Sequence, residues 1–170
     1  IRIGTKMPAF NPWRVLDDEK LQEAISKYSS PEQRIHIMAH FDHPRELTEP
    51  AIQGLEALVR LGAVVVNQCP LIRGVNDDAD ALGEMYQKLT HIGVSPYYLF
   101  QGRPTAGNEP YEMPLVRGYQ IFNEARTKTS GLGRRARYCM SHDSGKVEMV
   151  GLDDNYIYMR YHQAKDPEDE

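Results

Sequence analysis

Apolar positions along this chain switch between two periods. Short β-branched or aromatic runs alternate with stretches whose apolar residues recur every three or four positions. Residues 2–5 read as a strand, and Asp17-Asp18 then leads a helix with Leu21, Ala24, Ile25 and Tyr28 on one face. Residues 33–39 read as a second strand. Thr48 caps a helix whose apolar face is Ile52, Leu55, Leu58 and Val59, and Gly62 ends it. A third strand over 63–68 precedes a helix over 79–92, carrying Leu82, Met85, Leu89 and Ile92 and closed by Gly93. A strand over 94–101, a Gly/Pro loop over 102–110, a helix over 115–129 and a strand over 135–141 complete the series.

Strands thus recur about every 30 residues, the pattern of βαβ units and a parallel sheet. The unbroken apolar run Ala63, Val64, Val65, Val66 fits a sheet covered on both faces. The tail differs: 146–150, a turn over 151–155 and 156–161 read as an antiparallel hairpin. Polar residues stand at the strand ends: Thr5 and Lys6, His40 and Asp42, Asn67 and Gln68, Gln101 and Arg103, Ser141 and His142. In a βα-barrel, or an open slice of one, these five groups face one rim, where such folds hold ligands.

Composition narrows the classes. The 170 residues suffice for one domain with a core, and a net charge of -4 argues against a general nucleic-acid surface. No stretch approaches the length of a membrane-spanning helix, and no signal peptide is evident. Cys69 and Cys139 lie far apart and read as thiols of a cytoplasmic protein rather than as a disulfide or metal motif. The chain opens on Ile1-Arg2-Ile3-Gly4 inside a strand, without Met, and closes on an acidic run over 166–170. The expectation is a fragment of a longer protein, with an open sheet edge that pairs as a homo-oligomer or is covered by upstream residues.

Each chemical candidate has a structural counterpart. His36 and His40 share strand parity but sit four positions apart, about 13 Å, so both cannot bind one ion. His40 at a strand end fits a hydrogen bond to a small molecule, and His43 before Pro44 fits turn formation. Arg73 to Asp78 could cradle a phosphate, but two aspartates at the following helix start favour a capped loop. Alternation puts Tyr98 and Phe100 on one strand face, for stacking or packing, and Tyr97 on the other. Ser141, His142 and Asp143 are too close in sequence for a catalytic relay. Lys146 is either a turn lysine or, if desolvated, a Schiff-base nucleophile. Spacing does not assign Arg134, Arg135 and Arg137, which could pair with acidic groups or reach a phosphate.

The segments RIGTKMP, MAHFDHP, GAVVVNQCPLIRGVNDD, SPYYLFQ and TSG, in this order and spacing, resemble the later half of the lysine 2,3-aminomutase family. These are radical S-adenosylmethionine enzymes that also use pyridoxal phosphate. The resemblance covers residues 1–146 and implies an α/β fold: a portion of an open (βα)6 partial TIM barrel, with a parallel sheet and outer helices, here followed by a C-terminal β-hairpin. It divides the chain into barrel (1–141) and loop, hairpin and acidic tail (142–170). The family's [4Fe–4S] ligands lie in a CxxxCxxC motif upstream, so the cluster's ligands are not in this chain. A histidine and a glutamine that contact the adenosyl group match His40 and Gln68. The lysine that carries pyridoxal phosphate as a Schiff base matches Lys146, although Ser141, His142, Asp143 and Ser144 replace most of the glycines before it. Of two aspartates that hold the ammonium of lysine, the first maps onto Arg103 and the second near Cys139 or Met140. With both carboxylates gone, free lysine is disfavoured as substrate, and Arg103 could instead take a side-chain carboxylate through a bidentate fork.

The implied activity is a 1,2-amino shift on a small amino acid, by an isomerase without nucleic-acid or membrane partners. Two other readings stay open: radical S-adenosylmethionine chemistry of another kind without pyridoxal phosphate, and a non-enzymatic half-barrel that only binds.

Overall fold

The computed structural model describes residues 1–169. Seven strands form one sheet in chain order: β1 (Arg2–Thr5), β2 (His36–Ala39), β3 (Val64–Pro70), β4 (Ser95–Phe100), β5 (Arg137–His142), β6 (Gly145–Leu152) and β7 (Ile157–Ala164). β1 to β5 run parallel, and β6 and β7 continue the sheet antiparallel. Two one-turn helices, α1 (Met7–Phe10) and α2 (Trp13–Leu16), precede α3 (Glu19–Tyr28) between β1 and β2. The later crossovers are α4 (Glu49–Arg60), α5 (Ala79–His91) and α6 (Leu115–Thr127).

Local chemistry sets these boundaries. Oδ1 of Asp18 accepts from the Leu21 amide at 3.0 Å, and Oγ1 of Thr48 accepts from Ala51 at 3.4 Å. The Asp78 carboxylate takes the amides of Asp80 and Ala81. Gly62 and Gly93, with φ of +93° and +78°, turn the chain off α4 and α5 in a conformation that costs other residues strain. β2 starts at His36 rather than at 33, because Ser30 and Gln33 exchange backbone hydrogen bonds in a turn. The helical turns α1 and α2, set by Pro8 and Pro12, are too short to show a period.

Sequential order of the parallel strands, with a helix in each crossover, stacks the helices on one face and makes the sheet an arc of a barrel. Ile37, Val65, Leu99 and Tyr138 lie under the helices with Leu55, Leu82 and Leu89. A leucine buried this fully contributes about 2–3 kcal/mol. The expectation of a sheet covered on both faces does not hold among the described residues: Val65 is 4% exposed but its neighbour Val64 is 38% exposed. Five parallel strands do not close, so the concave face stays open.

The β3–β4 register shifts: Asn67 pairs with Pro96 and Gln68 with Tyr98, which leaves Tyr97 over. The Tyr97 and Tyr98 ring centroids are 3.9 Å apart, so the two rings lie side by side and not on opposite faces. The bulge breaks the alternation that the sequence suggested.

Candidate functional site

At the rim above β1 and β2, four side chains converge. The Lys6 ammonium donates to Oδ2 of Asp42 (2.7 Å), Oε1 of Glu46 (2.8 Å) and the His40 carbonyl (3.3 Å). Oε2 of Glu46 accepts from the Asp42 amide at 2.6 Å, which fixes the loop that carries both acids. Nε2 of His40 stands 3.2 Å from Oδ1 of Asp42, close enough to attract but poorly aligned for a formed hydrogen bond. Burial alone would push the Asp42 carboxyl up; contacts from His40 and Lys6 outweigh it and hold the group below the usual carboxylate range. Burial would lower Lys6, and its two acidic partners outweigh that and raise it. Nδ1 of His43 accepts from the Arg45 amide at 3.1 Å, the turn-shaping role expected of it. His36 opens β2 and His40 follows its end, so the two are separated by the strand's length.

Neighbouring strand-end amides have opposite roles. Asn67 is 2% exposed, and its side chain accepts from the Phe41 amide (2.8 Å) and donates to the Phe41 carbonyl (3.1 Å). Gln68 points to the concave side, half-buried, without a side-chain hydrogen bond among the described residues. Gln101, expected on the rim, is buried between layers, where it donates to the Met113 carbonyl at 2.7 Å and accepts from the Tyr138 hydroxyl. The 73–78 loop is scaffold: Asn76 is buried and bridges the Ile72 amide (2.7 Å) and the Pro70 carbonyl (2.8 Å), and Asp77 accepts from Gly74.

Lys146 lies on β6, opposite Ser141 of β5 and Gln163 of β7. Its Nζ stands over the rings of Tyr98 (4.2 Å) and Phe100 (5.3 Å) on the concave face. Around it is a network that sequence reasoning did not find. Nε2 of His162 meets the Tyr98 hydroxyl at 2.5 Å, and Nη1 of Arg137 meets Nδ1 of His162 at 2.6 Å. Oε2 of Glu148 accepts from Nε (3.1 Å) and Nη2 (2.9 Å) of Arg160 and lies 3.7 Å from Arg137. Burial, with Glu148 close by, pushes the Cys139 thiol up to about 12, so it is an inert wall of this face. Cys69 is likewise buried, and both cysteines are free. The signal for this cluster was hairpin register, which places Glu148 opposite both Cys139 and Arg160. That register includes a bulge beside Lys146.

Arg103 sits farther out. Its Nη2 pairs with Oδ1 of Asp143 in the β5–β6 turn at 3.0 Å, with 55% of the arginine and 91% of the aspartate side chain exposed. Asp143 therefore turns away from His142, whose Nδ1 instead meets Ser144 at 2.7 Å; these neighbours form no relay. Arg103 also lines a groove of about 290 Å³ with Leu71, Ile72 and Tyr111. Among the described residues no cluster of His, Cys, Asp and Glu could hold a metal, and no helix is long and apolar enough to cross a membrane.

The arc of parallel strands with a polar rim defines the class first: it is an open α/β partial barrel whose strand ends gather on one rim. A radical SAM methyltransferase from Sphaerobacter thermophilus aligns with 71% of this chain and 38% of its own, with a TM-score of 0.54 and 18% identity, a likeness of fold alone. No family model matches the chain. Its sequence relatives are more particular. A protein of Aquifex aeolicus (strain VF5), provisionally named L-lysine 2,3-aminomutase, is 45% identical over 99% of this chain. The L-lysine 2,3-aminomutase of Clostridium subterminale is 34% identical over 77%, and the glutamate 2,3-aminomutase of Clostridioides difficile (strain 630) 30% over 78%. The chain is a homologue of the lysine 2,3-aminomutases, the family its motifs resemble. It spans 45% of the length of the first relative and 30% of each of the other two.

Proposed function

We propose that this chain forms the later part of a radical S-adenosylmethionine aminomutase that shifts an amino group on an amino acid other than free lysine. The observation that carries this reading is the Lys146 amine. It stands over two aromatic rings on the open face, and no carboxylate ion-pairs with it among the described residues.

The residues present fit two of the three groups such chemistry uses. Pyridoxal phosphate finds an unpaired amine at Lys146, an aromatic floor in Tyr98 and Phe100, and an excess of positive charge, since Arg137 and Arg160 share one carboxylate. The adenosyl group finds Gln68 without an internal partner, and His40, whose Nε2 faces Asp42 and leaves Nδ1 to accept from a ligand. The described residues offer no ligand set for an iron–sulfur cluster. When bound, adenosylmethionine supplies the hydrogen-abstracting group and pyridoxal phosphate a carbonyl that captures an amine. The protein's own part is to hold the amine of Lys146 over the Tyr98 ring, to orient His40 through Asp42, and to meet the substrate's outer end at Arg103. An arginine at that end suits a carboxylate and repels an ammonium, which favours a glutamate-like substrate over lysine.

The test is direct. The chain is incubated with pyridoxal phosphate, reduced with borohydride and mapped by mass spectrometry. The expected result is a phosphopyridoxyl group on Lys146 that Lys146→Ala abolishes. Labelling spread over surface lysines, with Lys146 bare, sinks the assignment. One observation favours a second reading, radical chemistry without pyridoxal phosphate. In the turn before Lys146 the Ser144 amide is capped by His142, and its hydroxyl meets Tyr161, so these groups are not open to a phosphate. Adenosylmethionine binding without Lys146 labelling selects it.

A further inference from the structure

His162 stands between two groups that restrict it. An arginine side chain only donates hydrogen bonds. With Nη1 of Arg137 at 2.6 Å, Nδ1 of His162 has to offer a lone pair, which leaves the ring proton on Nε2. That proton faces the Tyr98 hydroxyl at 2.5 Å, so the phenol oxygen accepts from the imidazole and keeps its own proton. Four strands contribute to the arrangement: Tyr98 from β4, Arg137 from β5, Lys146 and Glu148 from β6, and His162 with Arg160 from β7. The imidazole and phenol rings meet edge to face at 5.5 Å, and the Tyr98 ring, whose other neighbours are Tyr97 and Phe100, lies beneath Nζ of Lys146.

We propose that His162, held in its Nε2–H tautomer by Arg137, is a positioning residue: it locks the Tyr98 ring as the platform that presents the Lys146 amine. The proposal rests on the reading of Lys146 as the carbonyl-capturing amine. It assigns work to a residue outside the resembling motifs, on the edge strand of the hairpin. Without the imidazole, the buried Tyr98 hydroxyl loses its donor, and the ring is held by its Tyr97 and Phe100 neighbours without a polar anchor. The amine then loses a fixed cation–π partner and samples more orientations. Burial first, and then the Arg137 charge, hold His162 below the ordinary histidine range, with Glu148 acting the other way and Lys146 and Arg160 adding to the lowering. The neutral ring is therefore the form present near neutral pH. Acid that protonates Nδ1 sets a second donor against Arg137 and breaks the lock.

Two measurements test this. Long-range ¹H–¹⁵N correlation spectra report the tautomer of His162. The expected pattern is Nε2–H, persisting below the ordinary histidine range, with Arg137→Ala giving mixed tautomers and a higher midpoint. An Nδ1–H tautomer, or a spectrum that Arg137→Ala leaves unchanged, overturns the proposal. The second measurement is the rate at which pyridoxal phosphate and borohydride label Lys146. His162→Phe, which fills the space without polar atoms, should slow labelling roughly tenfold. His162→Gln, whose amide can donate to Tyr98 and accept from Arg137, should restore most of the rate. Equal rates in all three proteins also overturn it. If the wild type never labels at Lys146 while the tautomer follows the expected pattern, the functional reading of Lys146 fails and the lock stands as a structural device.

Discussion

The rim above β1–β3 and the hairpin side of the concave face both gather charge, and they use it differently. At the rim, Lys6 is closed in by Asp42, Glu46 and a backbone carbonyl, and Glu46 also takes the Asp42 amide. Each charge there ends on a loop of the chain. On the hairpin side, Arg137 and Arg160 share Glu148, His162 is threaded between Arg137 and Tyr98, and among the described residues Lys146 meets aromatic faces and no carboxylate. Charge at the rim holds loops in shape; charge beside the hairpin surrounds an amine that, among the described residues, has no carboxylate partner. Asn67 and Gln68 repeat the contrast within one strand. The first is consumed by Phe41, and the second faces the open side without a side-chain partner among the described residues.

The largest expected effect separates those two amides. Asn67→Ala removes both hydrogen bonds to Phe41 and strands a buried amide and carbonyl, which costs about 3 kcal/mol. Gln68→Ala touches nothing the fold uses and should stay within about 0.5 kcal/mol, while weakening adenosylmethionine binding. Urea unfolding of both variants reads the difference. If Gln68→Ala destabilises as much as Asn67→Ala, the division between fold and site is wrong.

That division was half legible in the sequence. Strand period, and helix starts such as Asp18 and Thr48, located the parallel units, because those signals are local. Polar strand ends located the rim. Parity could have separated Asn67 from Gln68, but only once it was known which face the helices cover, and that follows from strand order. Gln101 was misplaced for the same reason. The Tyr97 error has a different origin: a bulge inserts a residue, and alternation cannot register an insertion. The His162 network lay out of reach because it joins positions 98, 137, 148 and 162 through hairpin register, which depends on further bulges. Lys146 was a candidate from its loop and was favoured by the family resemblance, and its surroundings came only from the fold.

A middling effect tests the rim through pH. The Asp42 carboxyl is held below its unfolded value, so its contribution to stability is present above the unfolded carboxylate range and is lost as pH falls through the depressed value. Lys6 is raised, so its contribution is full below the unfolded lysine range and is lost as pH climbs through the raised value. The rim should therefore be most stable across neutral pH and weaken at both extremes. Asp42→Asn should cost about 1–2 kcal/mol at pH 7, discounted for the partly exposed Lys6, and flatten the acid limb of the unfolding profile. An acid limb that survives the substitution unchanged would place its origin elsewhere, and the rim would lose its standing as the charge-stabilised region.

The smallest effect on stability is expected where the two regions come closest in kind, at Arg103 and Asp143. This is an ion pair like those of the rim, but both partners are largely exposed, and such pairs contribute about 0–1 kcal/mol. Nothing buried depends on it, so a ligand carboxylate can replace Asp143 at little cost and take the guanidinium in a bidentate fork. Asp143→Asn should leave the unfolding free energy within about 0.5 kcal/mol of wild type. The same change removes the internal competitor, so a dicarboxylic amino acid titrated calorimetrically should bind about threefold more tightly, the equivalent of roughly 0.6 kcal/mol. A loss of stability well above 1 kcal/mol, with ligand affinity unchanged, would make the pair a clasp between the β4–α6 loop and the hairpin turn. Arg103 would then belong with Lys6 as a loop-holding cation, and the case for a carboxylate-bearing substrate would have to rest on other residues.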